Sequence, residues 1–280
     1  MITQYDKTSY KISKILTNDF STSFSLGILA LDKSIRNHIY SIYGLVRVAD
    51  EIVDTYHDSD KKTLLNKLKK DTYDAIDAKL STNPILHSFQ LTVNKYNIDK
   101  NLIEAFFNSM EMDIYRNNYT REEFKKYVYG SAEVVGLMCL KVFVNGDEKL
   151  YKELNNYAKS LGSAFQKVNF LRDIRSDYYD RNRIYLPSEI KENGLTEEKK
   201  KELEDETFKD FQNALIGIKK LPKSSKTGVY AAYLYYTYLL KKIKKANLET
   251  LLNKRLRISN TKKFLLFIKA FFETKILNYI

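Results

Sequence analysis

The chain of 280 residues is long enough for one large domain, and its 44% hydrophobic content can fill a sizeable core. Its single cysteine, Cys139, excludes an intramolecular disulfide and suits a reducing cytosol. No signal peptide is visible, and no segment reaches the roughly 18 uncharged apolar residues of a membrane span, so a cytoplasmic or peripheral membrane protein is expected. The net charge of +12 is compatible with nucleic acid, an anionic membrane or a phosphorylated substrate, and also with a simple compositional excess of lysine.

Apolar residues recur at spacings of three and four through most of the chain, which contains only nine glycines and three prolines. This pattern excludes a sandwich of short strands and leaves little room for βαβ units, so it predicts one all-helical domain. Asp32, Thr120 and Ser259 are placed to cap three of the helices. The predicted helices are 33–56, 61–80, 84–96, 100–116, 121–143, 150–178, 197–220, 227–246 and 260–278.

The segment 42–54, IYGLVRVADEIVD, carries a polar stripe on an otherwise apolar helix. Its members lie at spacings of four, three and four, which places them on one helical face; they are Tyr43, Arg47, Asp50 and Asp54. Burying bare carboxylates is very costly, so a stripe on a buried helix needs a partner. Alone, a D-x-x-x-D pair is weak evidence, because surface helices carry it routinely.

A second stripe runs along 162–177, GSAFQKVNFLRDIRSD. Its members again share one face, while Phe and Leu occupy the others; they are Gly162, Gln166, Asn169, Asp173 and Asp177. Two stripes of this kind, each ending in carboxylates one turn apart, are hard to explain as solvated surface. Together they indicate a site between two helices.

Carboxylates from two facing helices suit Mg²⁺, which prefers hard oxygen ligands and is often shared with substrate phosphates. Bound metal would neutralise a leaving diphosphate and lower the barrier to C–O ionisation. The competing use of such carboxylates is a di-iron site, which requires Glu-x-x-His pairs. None of the three histidines, His38, His57 and His87, has a glutamate three residues earlier, so a di-iron site is not expected.

Five segments resemble, in the same order along the chain, the signatures of the squalene and phytoene synthase family. Within this family they resemble the bacterial phytoene synthases most. They are Ser23-Phe24 with the small residues that follow and Arg36, IYGLVRVADEIVD, the middle segment YGSAEVVGLM at 129–138, LGSAFQKVNFLRDIRSD with RIYLP after it, and Tyr236 with LLKKI followed by Arg257-Ile258-Ser259 and Lys262-Lys263. The chain departs from the family in two respects. The link between Asp177 and Arg183, Tyr-Tyr-Asp-Arg-Asn, lacks the glycine often found there, and the second long signature differs just before its final aspartate. Arg175 and Ser176 stand where many members have an acidic residue before the final aspartate.

The resemblance implies the all-α isoprenoid-synthase fold, a helical bundle of one domain (1–280) around a central active-site cavity. It implies Mg²⁺, or Mn²⁺ in its place, at Asp50, Asp54, Asn169, Asp173 and Asp177. The implied substrate-binding residues are Ser23, Phe24, Tyr43, Arg47, Gln166, Asn169, Tyr236 and Arg257. Among these, Arg47, Ser23 and Arg257 would contact diphosphate oxygens. Phe24, Tyr43, Tyr236 and also Tyr129 would line the cavity. The implied catalytic residues are the four aspartates and Tyr129.

Two simpler interpretations of these residues stay open at this point. The tyrosines can be core residues with satisfied hydroxyls, and Arg47 can pair with Asp50 at i,i+3.

The region 241–280 carries 11 Lys/Arg against 2 Asp/Glu. Phosphate solvation, peripheral contact with an anionic membrane and a plain solvated face all explain this excess.

The implied reaction is head-to-head condensation of two prenyl diphosphates, as geranylgeranyl diphosphates to phytoene through a cyclopropyl diphosphate, in carotenoid biosynthesis. No NADPH is expected, because no G-x-G-x-x-G follows a predicted strand. A squalene or dehydrosqualene synthase acting on farnesyl diphosphate is the alternative. A non-catalytic assembly factor should have lost metal carboxylates, and a nucleic-acid binder leaves both stripes unexplained, so no nucleic acid is expected; the oligomeric state is open.

Overall fold

The computed structural model describes residues 2–56, 59–116, 118–180, 183–185, 196–277 and 279–280. Over these residues every regular element is helical, and the one β-type pairing is an isolated parallel bridge between Asn118 and Ile184. The helices are α1 (Gln4–Phe20), α2 (Thr22–Leu29), α3 (Lys33–Asp54), α4 (Lys61–Ala78), α5 (Pro84–Tyr96), α6 (Lys100–Tyr115), α7 (Arg121–Val128), α8 (Val134–Phe143), α9 (Glu148–Tyr179), α10 (Glu197–Lys220), α11 (Lys223–Lys244), α12 (Leu248–Asn253) and α13 (Asn260–Phe271). A π-helical turn, Tyr129–Glu133, joins α7 to α8, and a second, Phe272–Ile276, extends α13.

Each of the nine predicted segments coincides with helix in the structure except for up to two described residues at its end, and two of them, α5 and α10, have the predicted bounds. The three predicted caps are also confirmed. The Asp32 carboxylate accepts a hydrogen bond from Ser34 N, Thr120 forms a capping box with Glu123, and the Ser259 hydroxyl accepts from Lys262 N. The end of the last predicted helix, residue 278, lies outside the described residues.

Three helices were not predicted: α1, α2 and α12. The buried face of α1 consists of Ser9, Tyr10, Ser13 and Thr17, so small polar side chains replace the apolar period that signals a helix. Its packing uses their hydroxyls, since Ser13 and Ser88 of α5 exchange a hydrogen bond of 2.7 Å. The other two are short, with eight and six residues, and give too little sequence for a period to appear.

Six helices surround a central apolar cavity of about 240 Å³; they are α2, α3, α8, α9, α10 and α11. Five of the nine glycines of the chain line it, and because they lack a Cβ the helices can approach one another closely around it; they are Gly27, Gly136, Gly162, Gly217 and Gly228. At Gly162 of α9 a Cβ would lie 2.6 Å from the carbonyl oxygen of Ala132, so α9 rests directly on the π-helical turn.

We expect Gly162→Ala to destabilise the protein by about 1–3 kcal/mol, because backbone on both sides of the contact must move. For a chain of this size this corresponds to a melting temperature lower by roughly 2–10 °C in a thermal scan. The matched control is Gly27→Ala, also in the cavity wall, where a Cβ would meet its nearest atom at an ordinary 3.5 Å. Equal melting temperatures for the two variants would contradict the proposed close contact.

Candidate active site

The stripe of α3 follows the cavity wall and then leaves it. Tyr43 lines the cavity, and the next turn carries Arg47 at its edge. The Arg47 guanidinium donates to the Asp50 carboxylate at 2.8 Å, pairs with Glu51, and lies 4.2 Å above the centre of the Phe20 ring. The i,i+3 pair weighed in the sequence analysis is therefore present, yet the Arg47 Nε–H is buried without an acceptor among the described residues.

The stripe of α9 enters the same cavity from the facing side. Gly162, Gln166 and Asn169 all line it. Asn169 Nδ2 donates to Gln166 Oε1, and the Tyr236 hydroxyl of α11 donates to Asn169 Oδ1, each at 3.4 Å. Burial raises the pKa of Tyr236 to about 12, so this phenol stays neutral, and the Phe165 ring stacks on it at 4.1 Å between centroids.

Asp173 is clamped between two arginines. The Arg172 guanidinium donates to both carboxylate oxygens, at 2.9 and 2.5 Å, and Arg255 donates to the same two at 2.6 and 3.3 Å. Burial acts to raise the pKa of Asp173, but the hydrogen bonds and charges of the two guanidinium groups outweigh it, and the pKa lies below its usual value. The carboxylate is therefore ionised, and guanidinium groups now contact the oxygens that could bind a metal.

Asp54 is joined to a buried network that the sequence analysis missed. Arg183 lies after the end of α9, and its Nη1 donates to Asp54 Oδ1 at 2.7 Å while its Nη2 donates to the Asp113 carbonyl oxygen at 2.8 Å. The Asp113 carboxylate accepts three tyrosine hydroxyls, at 2.9, 2.9 and 2.6 Å; they belong to Tyr119, Tyr185 and Tyr127. Burial raises the pKa of Asp113, which the Arg183 charge and the tyrosine hydrogen bonds oppose.

One sequence signal could have found Asp113. The buried face of α6 includes Ile103, Phe106 and Met110, and Asp113 continues this apolar stripe by another turn. A carboxylate in an apolar stripe requires partners, by the same argument that identified the two acidic stripes. Arg183 was noted only as part of the RIYLP segment, of which residues 186 and 187 lie outside the described residues.

The two acidic stripes run towards the same end of the cavity, where Arg47, Asp50 and Arg172 lie near Tyr43 of its wall. We call this end the entrance of the cavity, and further positive side chains gather there. Lys263 of α13 donates to Thr22 Oγ1 at 2.8 Å. Its pKa is lowered by burial and by the nearby charges of Arg257 and Arg172, so these three cations lie close together. Ser23 does not line the central cavity; it lines a small adjoining pocket that also contains Lys263.

Tyr129, which the resemblance placed in the cavity, is not among the residues that line the cavity wall. Its side chain is 36% exposed, and Lys159 Nζ lies 5.7 Å from the ring centre. The reason is the π-helical turn that begins at this residue, which directs Ser131 and Ala132 to the cavity instead. Phe24, Tyr43 and Tyr236 do line the cavity as predicted.

The donor set at the entrance fits a hard divalent cation. Carboxylate and amide oxygens are the ligands that Mg²⁺ prefers, and α3 and α9 offer them from Asp50, Asp54, Asn169, Asp173 and Asp177. Among the described residues, no three His, Cys, Asp or Glu side chains converge closely enough to form a ready metal cage.

An all-helical bundle around an apolar cavity, with carboxylates and arginines at its entrance, is the architecture of the isoprenoid-synthase fold. The structure aligns with a dehydrosqualene synthase crystallised with a ligand, at a TM-score of 0.84 and 20% identity over 99% of both chains. It also aligns with a squalene synthase from Alicyclobacillus acidocaldarius, at a TM-score of 0.74 and 20% identity over 86% of this chain and 94% of that one. These likenesses confirm the predicted fold.

The family profile described as squalene/phytoene synthase matches residues 17–262, and the chain belongs to this family. A chloroplastic phytoene synthase from Narcissus pseudonarcissus is 30% identical over 273 residues, which cover 88% of this chain and 62% of that protein. A 15-cis-phytoene synthase from Synechocystis sp. is 28% identical over 301 residues, covering 96% of this chain and 86% of that protein. The chain thus spans less than two thirds of the length of the Narcissus protein.

Proposed function

We propose that this protein is a Mg²⁺-dependent prenyltransferase that condenses two prenyl diphosphates head-to-head, yielding phytoene from two geranylgeranyl diphosphates in carotenoid biosynthesis. The observation that carries this proposal is the junction of an apolar cavity with an entrance bearing both carboxylates and arginines. A prenyl diphosphate has the same two parts, an apolar chain and an anionic head. The similarity to phytoene synthases supports the same reaction.

In this proposal the arginines bind the diphosphate head. Arg47, Arg172 and Arg257 provide planar donor groups that match phosphate oxygens. The aspartates of α3 and α9 would hold Mg²⁺, which would supply charge neutralisation of the leaving diphosphate. The side-chain amides of Asn169 and Gln166 lie on the same face of α9. They donate hydrogen bonds to the substrate and hold it in position relative to Asp173.

The cavity receives the prenyl chains and keeps water from the cations. The first diphosphate leaves as its C1–O bond breaks, and the double bond of the second substrate attacks C1. Loss of a proton closes a cyclopropylcarbinyl diphosphate, whose own C–O bond then breaks. The rearranged cation loses a proton to give the hydrocarbon, so two diphosphates and two protons are released.

The aromatic residues of the wall favour this sequence of cations. The faces of Phe24, Tyr43 and Phe165 carry negative charge density that stabilises a nearby carbocation. Burial raises the pKa of Tyr43, as it does that of Tyr236, so both phenols stay protonated and are poor proton acceptors. The released diphosphate is then the stronger base in the site, and we assign the proton transfers to it.

We expect the purified protein, given Mg²⁺ and geranylgeranyl diphosphate without NADPH, to form phytoene, which absorbs in the ultraviolet through its conjugated triene. The reason is that a cation quenched by proton loss needs no hydride donor. Extraction and chromatography identify the product, and omission of Mg²⁺ serves as the control. A reaction that stops at the cyclopropyl diphosphate until NADPH is added, and then gives a saturated central bond, would identify squalene-type chemistry instead.

One observation favours a shorter substrate as the second candidate. The cavity of about 240 Å³ lies below the 300–1,000 Å³ that is usual for ligand pockets. Farnesyl diphosphate would make the protein a squalene or dehydrosqualene synthase. Competition between the C15 and C20 diphosphates in one reaction, read as the ratio of the hydrocarbon products, distinguishes the two.

No helix among the described residues is long and apolar enough to cross a membrane. The proposed substrates and product are nevertheless lipids, and the basic region from residue 241 onward can attract anionic headgroups. We therefore propose that this is a single-domain cytoplasmic protein that contacts a membrane surface peripherally.

A further inference from the structure

The last helix of the chain has apolar side chains on two opposite faces. Its inner face, Leu266, Ala270 and Thr274, is buried against α11 and α2. A helix packed on one side normally presents polar side chains on the other. Here the outer face is also apolar, with exposures between 46% and 59%; it consists of Phe264, Leu265, Phe271, Phe272 and Ile276.

This exposure is concentrated in one place. Seven of the 21 large hydrophobic side chains exposed among the described residues fall between residues 264 and 279. Single exposed hydrophobic residues need no explanation, whereas a contiguous group of this kind marks an interaction site. The outer face is therefore a surface that another body covers.

The charges around the outer face indicate the nature of that body. Lys262, Lys263, Lys269 and Lys275 lie on the same helix and its π-helical extension, against a single acid, Glu273. Glu273 accepts the Tyr230 hydroxyl at 2.8 Å and pairs with Lys269 at 3.8 Å, so the four lysines exceed the acid by three charges. A second copy of this face would bring like charges together, while an anionic surface complements them.

We propose that the outer face of α13 docks on an anionic lipid bilayer. The aromatic and aliphatic side chains enter the boundary between headgroups and acyl chains, and the lysines lie at the phosphates. This inference rests on the peripheral contact in the proposed function and identifies the surface that makes it. The first turn of the same helix carries Lys263 at the cavity entrance, so docking brings the entrance close to the lipid surface.

The test compares two double variants in vesicle sedimentation, without substrate or Mg²⁺. Leu265→Ser/Phe272→Ser removes two outer-face side chains, which are 52% and 50% exposed. Phe208→Ser/Ile216→Ser removes two from α10, which are 49% and 48% exposed, and is the matched control. The vesicles are phosphatidylcholine alone and phosphatidylcholine mixed with phosphatidylserine.

The native chain should bind the anionic vesicles and release them as salt is added. The outer-face variant should bind at least about tenfold more weakly, and the α10 variant should bind as the native chain does. Lys269→Gln/Lys275→Gln should lose about fivefold for each lysine, on anionic vesicles alone. Activity in detergent should persist in all three variants, which separates this proposal from the proposed reaction.

Three outcomes overturn the proposal. One is binding that ignores lipid charge and salt, and another is equal loss in the outer-face and α10 variants. The third is a dimer in analytical ultracentrifugation that the outer-face variant dissociates, because a second copy of the chain would then cover this surface.

Discussion

Replacing Asp50 with asparagine should lower kcat by at least about a thousandfold while leaving the fold intact, since several kcal/mol of transition-state stabilisation depend on neutralising the leaving diphosphate. The Asp50 carboxylate is 38% exposed and pairs with Arg47 at 2.8 Å. An exposed pair of this kind contributes at most about 1 kcal/mol to stability, so folding loses little. Initial rates with Mg²⁺ and the preferred diphosphate, together with a thermal scan, measure both quantities.

The chain offers a closely matched control on α4. Asp71 is 41% exposed and pairs with Lys67, also at 2.8 Å, but it lies away from the cavity. Asp71→Asn should change neither kcat nor the melting temperature appreciably. If both variants retain activity, or if Asp50→Asn fails to fold, the stripe on α3 is structural and the proposed metal role is wrong.

Asp173 should respond differently from Asp50, which the sequence alone did not indicate. The structure shows Asp173 held between Arg172 and Arg255. Asparagine at this position would leave both guanidinium groups without the negative charge that neutralises them. Asp50→Asn is therefore the cleaner test of function.

Much of the fold could be predicted because long amphipathic helices show a periodic spacing of apolar residues in the sequence. The nine predicted segments cover the ten helices with apolar stripes, whereas α1, whose buried face is polar, was not predicted. The break between α7 and α8 was invisible too, because a π-helical turn adds a residue without changing the local composition. That one residue is the reason why Tyr129 does not face the cavity.

The site could be predicted as far as spacing along one helix determines it. Tyr43 and Asn169 lie in the cavity wall as the two stripes required. Partners from distant parts of the chain could not be derived in this way. Asp54 and Arg183 are 129 residues apart, and only tertiary packing brings them within 2.7 Å.

The network around Arg183 leads to the second large effect. Arg183→Met should cost about 3–5 kcal/mol of stability, because it leaves the buried carboxylates of Asp54 and Asp113 without their shared guanidinium. It should also lower kcat/KM by about 10–100-fold, as loss of a group that positions a metal ligand typically does. Rates are measured well below the melting temperature, so that unfolding does not contribute.

A buried ion pair far from the cavity separates positioning from stability. Lys200 and Glu204 of α10 are both 5% exposed and pair at 2.7 Å, as Arg183 and Asp54 do. Lys200→Met should therefore lower the melting temperature by a similar amount and leave kcat/KM unchanged. Should Arg183→Met not fold, Tyr185→Phe removes a single donor to Asp113, at 2.9 Å, with less loss of stability.

A second measurement tests whether Arg183 positions the site or only stabilises the fold. It is the rise in melting temperature that Mg²⁺ with inorganic pyrophosphate produces, which a purely structural role of Arg183 would leave unchanged. Ligands that bind only the folded state raise the melting temperature, and the rise increases with the logarithm of their affinity. We expect this rise to be lost in Arg183→Met and retained in Lys200→Met, because in the proposed function Arg183 holds Asp54 in position to bind the metal. Equal rises in the two variants would mean that the network of Asp113, its three tyrosines and Arg183 stabilises the fold without positioning the site.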